Sequence, residues 1–212
     1  MSSPAALSPE LLDGYRRFRA NRYPVERERY RRLEQEGQRP QTMVVACSDS
    51  RSAPETIFDA LPGELFVVRN VGGLVPVYAP DTGNHAASAA LEYAVLALGV
   101  RSIVVMGHGR CGGVGAALDD AGPLAATDFI GTWVAGLRDL ADRLDPADRD
   151  DPVMGRRALE FRSVEQSIVN LRTFPWVRSR EQAGTLVLAG AWFDIALGEL
   201  RELTPAGWQT VP

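Results

Sequence analysis

The stretch Met43–Arg51 reads Met-Val-Val-Ala-Cys-Ser-Asp-Ser-Arg, a short apolar run that ends on Cys47, Asp49 and Arg51 at alternate positions. Alternation at period two is the repeat of extended backbone, so a strand carried through Arg51 would aim all three side chains to one side. A thiolate is a soft ligand or nucleophile, a carboxylate a base or ligand, and a guanidinium a fixed cation. Such a set at the end of a strand implies something held at the point where they converge.

A second stretch, Gly107-His108-Gly109-Arg110-Cys111-Gly112, fits the dinucleotide fingerprint G-x-G-x-x-G and sits between an apolar run and a helical pattern. A dinucleotide unit needs a second strand with an acidic residue about 20 positions on, where this chain has the polar Pro/Gly segment from Asp119 to Thr127. A pyrophosphate site also has no use for His108 or Cys111. The metal reading uses both. His108 and Cys111 stand three apart, the spacing at which one turn of backbone aims two side chains at one ion. In a parallel sheet all strand C-termini open on one edge, where ligand sites form. Cys47, His108 and Cys111 can meet there as a Cys₂His set, which is zinc chemistry with one coordination position left over. Two plainer readings compete: two buried small hydrophobes with a satisfied ring, and a redox dithiol, which would normally be Cys-x-x-Cys in one turn.

The elements that position these residues follow from periodicity. Ser8-Pro9-Glu10 opens a helix with Leu11, Leu12, Tyr15 and Phe18 at helical spacing, and a second helical piece starts near Pro24. Nine Arg fall in the first 40 residues, but six acidic residues lie among them, so the arm reads as a solvated helix face and not as an RNA-binding tail. Its apolar stripe needs a surface, which a partner subunit would supply. Strands are expected at Thr42–Cys47, Glu64–Asn70, Ser102–Met106 and Thr185–Ala189. Helices are expected from Asp81/Thr82 through Leu98, near Phe129–Leu144 and over Arg156–Arg172, with an exit turn at Gly190–Glu199. Strands alternating with helices predict an α/β fold with a mostly parallel central sheet of four to five strands flanked by helices. The chain, 1–212, reads as a single domain with residues 1–37 as an N-terminal helical arm.

With 45% hydrophobic and 24% charged residues, the composition is that of an ordinary soluble globular protein. A net charge of −4 argues against general nucleic-acid binding. Two cysteines do not make a disulfide-stapled domain, the first residues lack the pattern of a signal peptide, and no apolar stretch reaches membrane-spanning length. Cytoplasmic location is the expectation.

Cys-x-Asp-x-Arg at 47–51 with His-x-x-Cys at 108–111 resembles the zinc motifs of the β-class carbonic anhydrases. Similar too are Pro62–Asn70, Ala90–Val95, Cys111-Gly112-Gly113, and Gly190–Ile195 before Gly198-Glu199-Leu200, so the resemblance covers about Gln38 to Leu200. It implies one zinc per subunit held by Cys47, His108 and Cys111, and reversible hydration of carbon dioxide to bicarbonate and a proton, a lyase reaction. It also implies a homodimer or dimer of dimers embraced by the N-terminal helices. Gln38 matches a substrate-binding glutamine, and Phe66 and Val71 match apolar pocket positions. Gly112 and Gly113 allow close backbone approach at a helix start, where N–H groups favour bicarbonate. Hydrolysis of carbonyl sulfide or carbon disulfide on the same scaffold, or a non-catalytic zinc-binding regulatory role, would share the ligands.

Asp49 and Arg51 then have a linked role. The carboxylate can accept a hydrogen bond from the metal's water or replace that water as fourth ligand, and Arg51 holds it off the metal by a charge-assisted pair. Some relatives carry a Trp at the position of Val44, part of an inhibitory bicarbonate site with the residue matching Arg69; its absence favours an open site. Where many plant-type members have a Tyr this chain has Asn84, and the adjacent His85 is the spare imidazole for proton relay. Two thiolates cancel the charge of a divalent metal, so its water should be less acidic than on a three-histidine site. Activity is therefore expected to rise from neutral toward alkaline pH, and a flat pH–rate profile over that range would overturn this.

Overall fold

The structure is a computed structural model that describes residues 5–118 and 123–212. It divides into two compact units, residues 1–38 and 39–212. In the first unit, α1 (Pro9–Arg17) is capped by the Ser8 hydroxyl, which accepts from the Leu11 N–H. A π-helical turn, Phe18–Arg22, joins it to α2 (Tyr23–Glu36). Phe18, Tyr23 and Tyr30 pack together there, with ring centroids 5.5–6.1 Å apart, while Leu11 and Tyr15 stay exposed.

The second unit runs β1 (Thr42–Cys47), α3 (Pro54–Ile57), β2 (Leu65–Asn70), α4 (Ala86–Glu92, continued by a π segment Tyr93–Leu98), β3 (Ser102–His108) and α5 (Gly112–Leu118). It continues through α6 (Phe129–Trp133), α7 (Ala135–Ala141), α8 (Pro146–Arg149), α9 (Pro152–Leu171) and α10 (Pro175–Gln182) to β4 (Val187–Asp194), β5 (Glu199–Thr204) and β6 (Gly207–Thr210). The strands form one sheet in the order β2-β1-β3-β4-β5-β6. The first four pair in parallel, and β5 and β6 add an antiparallel hairpin edge.

The fold class holds, but the sheet has six strands where four to five were expected. The exit turn assigned to Gly190–Glu199 is mostly strand: β4 runs to Asp194 because Trp192 and Phe193 pair across to Arg201 and Leu200 of β5. β3 likewise continues past Met106, since Gly107 and His108 find ladder partners in Trp192 and Phe193. The expected helix from Asp81 starts only at Ala86, because Asp81 is spent on the Gly83 N–H and on His85. Gly99 ends that helix in the left-handed region, at φ 70°. The helix expected over Phe129–Leu144 is two, broken where Val134 leaves the helical region at φ −93°, ψ 5°. The expected helix at Arg156 begins at Pro152, capped by the Asp151 carboxylate. Asp119 and three following residues lie outside the described part.

β1 lies between β2 and β3 with helices over both sheet faces, which accounts for its unbroken apolar run. Met43 and Val45 join the core against Leu91, Ile103 and Leu171, while Val44 and Ala46 pack on the opposite side with Met106 and Ala191. Among the described residues no helix is long and apolar enough to cross a membrane.

Phe174, fully buried at the start of α10, packs edge-on against Tyr78 and Trp176 at 5.4 and 5.6 Å. Phe174→Ala is expected to destabilise the protein by about 3–5 kcal/mol, read as a lower urea midpoint with unchanged slope. A midpoint within error of the parent's would show that the core closes over the gap.

Candidate metal centre

Three of the sequence-assigned residues converge. The ligating atoms of Cys47, His108 and Cys111 all lie within 4.8 Å of one another, and all three residues are buried. The register explains how. Ala46 of β1 pairs with Met106 of β3, so Cys47 ends its strand beside the point where β3 delivers His108. The chain then turns through Gly109 and Arg110, whose φ of 53° is left-handed, and returns Cys111 to the same place. His108 is thus the last residue of a strand rather than part of a single turn with Cys111.

The donors suit a divalent, borderline-soft cation. The Sγ atoms of Cys47 and Cys111 are 3.8 Å apart; two sulfurs about 2.3 Å from a common tetrahedral centre would be separated by about 3.8 Å. His108 Nδ1 lies 3.0 Å from the Gly109 carbonyl, an arrangement in which Nδ1–H donates. That leaves Nε2 with its lone pair toward the thiols, buried and without a hydrogen-bond partner. An orphaned buried nitrogen is rare in a finished core, and a cation among the three donors would satisfy it. The thiols also constrain each other. The Cys111 thiol hydrogen-bonds Cys47 and holds its pKa well below the usual thiol range, against the opposing effect of burial, while Cys111 is pushed up by sharing that bond and by burial. Without a cation the pair carries one charge comfortably and resists a second.

Asp49 and Arg51 meet beside this cluster by a route the sequence did not show. The strand ends at Cys47 and the chain turns, so period-two extension does not hold. Asp49 Oδ1 accepts from the backbone N–H of Arg51 at 3.0 Å, and both carboxylate oxygens accept from the guanidinium at 2.9 and 2.7 Å. Those bonds, above all the guanidinium's, hold the carboxyl well below the usual range. Asp49 Oδ2 stands 3.9 Å from His108 Nε2. Arg69 pins the turn from β2, donating to the carbonyls of Cys47 at 2.9 Å and Asp49 at 2.6 Å.

The other assigned residues fall differently. Gly113, not Gly112, is the close-approach glycine: a Cβ there would lie 2.6 Å from Val71 Cγ1 and 3.0 Å from the Gly72 nitrogen, whereas nothing lies within 4 Å of one on Gly112. Val71 is therefore adjacent to the metal loop, and 41% exposed. Phe66 pairs in register with Met43 and Cys47 with Asn70, which puts Phe66 about 13 Å along the sheet from the level of Cys47. His85 is exposed and paired to Asp81 at 2.6 Å. Gln38 is the last residue of the N-terminal unit.

Sequence reasoning missed Glu160. It is 2% exposed, and its carboxylate accepts from the Cys111 N–H at 3.0 Å and the Trp192 indole at 3.2 Å. The available signal was its place on the apolar stripe of α9 with Ser163, Val164, Ser167, Ile168 and Leu171, where a carboxylate needs partners.

The sequence model described as carbonic anhydrase matches residues 42–200. A carbonic anhydrase of Pseudomonas aeruginosa is 36% identical over 202 residues, covering 93% of this chain and 88% of that protein. One of Synechococcus elongatus is 34% identical over 200 residues, covering 92% and 71%. Among solved structures, the β-carbonic anhydrase CcaA superposes with a TM-score of 0.86 at 29% identity, covering 95% of this chain and 97% of that one. A Coccomyxa β-carbonic anhydrase in complex with acetazolamide gives 0.80 at 27% identity, covering 94% and 87%. The chain belongs to the β-class carbonic anhydrase family.

Removing the Glu160 carboxylate would strand two buried N–H donors. Glu160→Ala is expected to lose several kcal/mol of stability and about 10–100-fold in zinc affinity by chelator competition, with Glu160→Gln recovering part of both. Unchanged zinc affinity in Glu160→Ala would show that the carboxylate does not serve the loop.

Proposed function

We propose that this protein is a zinc enzyme that reversibly hydrates carbon dioxide to bicarbonate and a proton, with Cys47, His108 and Cys111 as the protein ligands. The observation that carries the reading is the buried, unpartnered His108 Nε2 facing two thiols at a tetrahedral-edge separation. When bound, zinc supplies Lewis acidity and lowers the pKa of a water in its fourth position, making a nucleophile available near neutral pH.

The residues around it do the positioning. Asp49, kept ionised by Arg51, stands 3.9 Å from His108 Nε2 and would accept a hydrogen bond from a water or hydroxide held beside the three ligands, orienting it toward carbon dioxide. Arg51 fixes the carboxylate from behind by two parallel bonds, so that it serves as acceptor rather than as a fourth ligand. Arg69 holds the backbone of the same turn and leaves the carboxylate little freedom to swing. Val71, partly exposed beside Gly113, offers an apolar wall to a small apolar substrate. Phe66, remote from its own chain's cluster, and Gln38 fit the pocket if a second subunit brings them there, which makes a homodimer or dimer of dimers part of the proposal. Residues 1–37 then form an embracing arm of a single-domain, cytoplasmic enzyme. A neighbouring fold from Sordaria macrospora, described as tetrameric, superposes with a TM-score of 0.76 at 27% identity.

Metal analysis is expected to return one zinc per chain, and Cys47→Ser or chelator treatment to abolish stopped-flow carbon dioxide hydration. A protein that is zinc-free as purified yet active would refute the proposal. Arg51→Ala frees the carboxylate and is expected to lower turnover by about 100-fold while zinc content stays at the parent level; near-full turnover would remove Arg51 from the reaction.

A further inference from the structure

A cavity of about 1500 Å³ is bounded by α5 to α9 and by the segment following β4, and Arg51 and Arg110 line it next to the metal loop. Part of its wall is apolar, including Ile130, Val134 and Leu197. Among the described residues the rest carries six guanidiniums against four carboxylates. Of its acidic residues, Asp128 is used to cap Gly131, Asp194 to accept from Ala196 and Leu197 and to pair with Arg157 at 3.6 Å, and Glu160 to hold Cys111 and Trp192. Only Asp142 offers a carboxylate without such a partner among the described residues.

The cations are less well matched. Arg110, Arg138 and Arg149 make no side-chain hydrogen bond or ion pair among the described residues, and Arg156 meets Glu160 through charge alone. Arg156 is also seated rather than free. Its Nη2 would stand 2.5 Å from a Cβ on Gly115, so the glycine in α5 makes room for the guanidinium. Arg110 occupies a left-handed backbone conformation, uncommon for a long side chain. Guanidiniums gathered on one concavity repel each other and concentrate anions. Their planar forks match carboxylate and phosphate oxygens two at a time. The concavity is larger than a single inorganic oxyanion fills, and its wall offers apolar surface beside the guanidiniums.

The geometry points to a binding site for an organic polyanion, a molecule with phosphate or carboxylate groups on an apolar body, held by Arg110, Arg138, Arg149 and Arg156. This site is separate from the metal ligands and does not depend on the proposed reaction.

The test is isothermal titration of the full-length, metal-loaded protein with magnesium-free ATP and, in parallel, with benzene-1,3,5-tricarboxylate. At least one probe is expected to bind, more weakly as salt is raised, and to lose about tenfold or more in affinity in the double variant Arg138→Gln/Arg149→Gln. Both positions are exposed, so circular dichroism should show the variant folded. Binding of ATP alone assigns phosphate recognition, and binding of the tricarboxylate alone assigns carboxylate recognition. Failure of both probes, or binding unchanged in the double variant, overturns the site.

Discussion

The register between β1 and β3 is the constraint on which the rest depends. Because side chains alternate faces along a strand, a slip of one residue would turn Cys47 away from His108 and exchange the two buried faces of β1 at once. With Met43 and Val45 committed to one core and Val44 and Ala46 to the other, a one-residue slip would move each set into the core built for the other. Packing far from the cluster therefore fixes where its first ligand stands. The second and third follow from the same strand end and from one left-handed residue, Arg110.

Around that point, side chains and backbone are tied by several hydrogen bonds. Arg69 holds two carbonyls of the Cys47 turn, Gly72 donates to Cys47 Sγ at 3.3 Å, Glu160 accepts from Cys111, and Asp49 accepts from Arg51. Against this background the open lone pair of His108 is conspicuous. The electrostatics agree: two thiols 3.8 Å apart do not both ionise readily without a cation between them.

Much of this was legible in the sequence, for identifiable reasons. Cysteine and histidine are rare here and chemically distinctive, so their placement at two strand ends was informative before any coordinates. The central strands were legible because burial on both faces leaves continuous apolar runs. The hairpin edge was not. In β5, Glu199–Thr204 mixes charged and apolar residues, as a half-exposed antiparallel strand does, and reads as a tail. The break at Val134 turns on one backbone conformation that composition does not encode. Glu160 stayed hidden because Arg156, Arg157 and Arg162 beside it make α9 look like an exposed charged helix, when its carboxylate in fact faces inward. The turn at Asp49 misled in a different way: the three side chains do converge, but through an Asp-capped turn rather than through extended backbone.

The two thiols stand 64 positions apart in the chain, and the parallel pairing of β1 with β3 that brings them together spans the whole β2–α4 crossover. Contacts of that sequence separation close late and slowly during folding, because loop entropy is lost before they reward it. The cluster is therefore a report on completion. A chain still lacking β1–β3 pairing presents one thiol and, far away along the backbone, a histidine and a second thiol, none of them able to grip an ion together. A cation bridging the three donors would stabilise the paired sheet, because the donors come together only where β1 and β3 are joined.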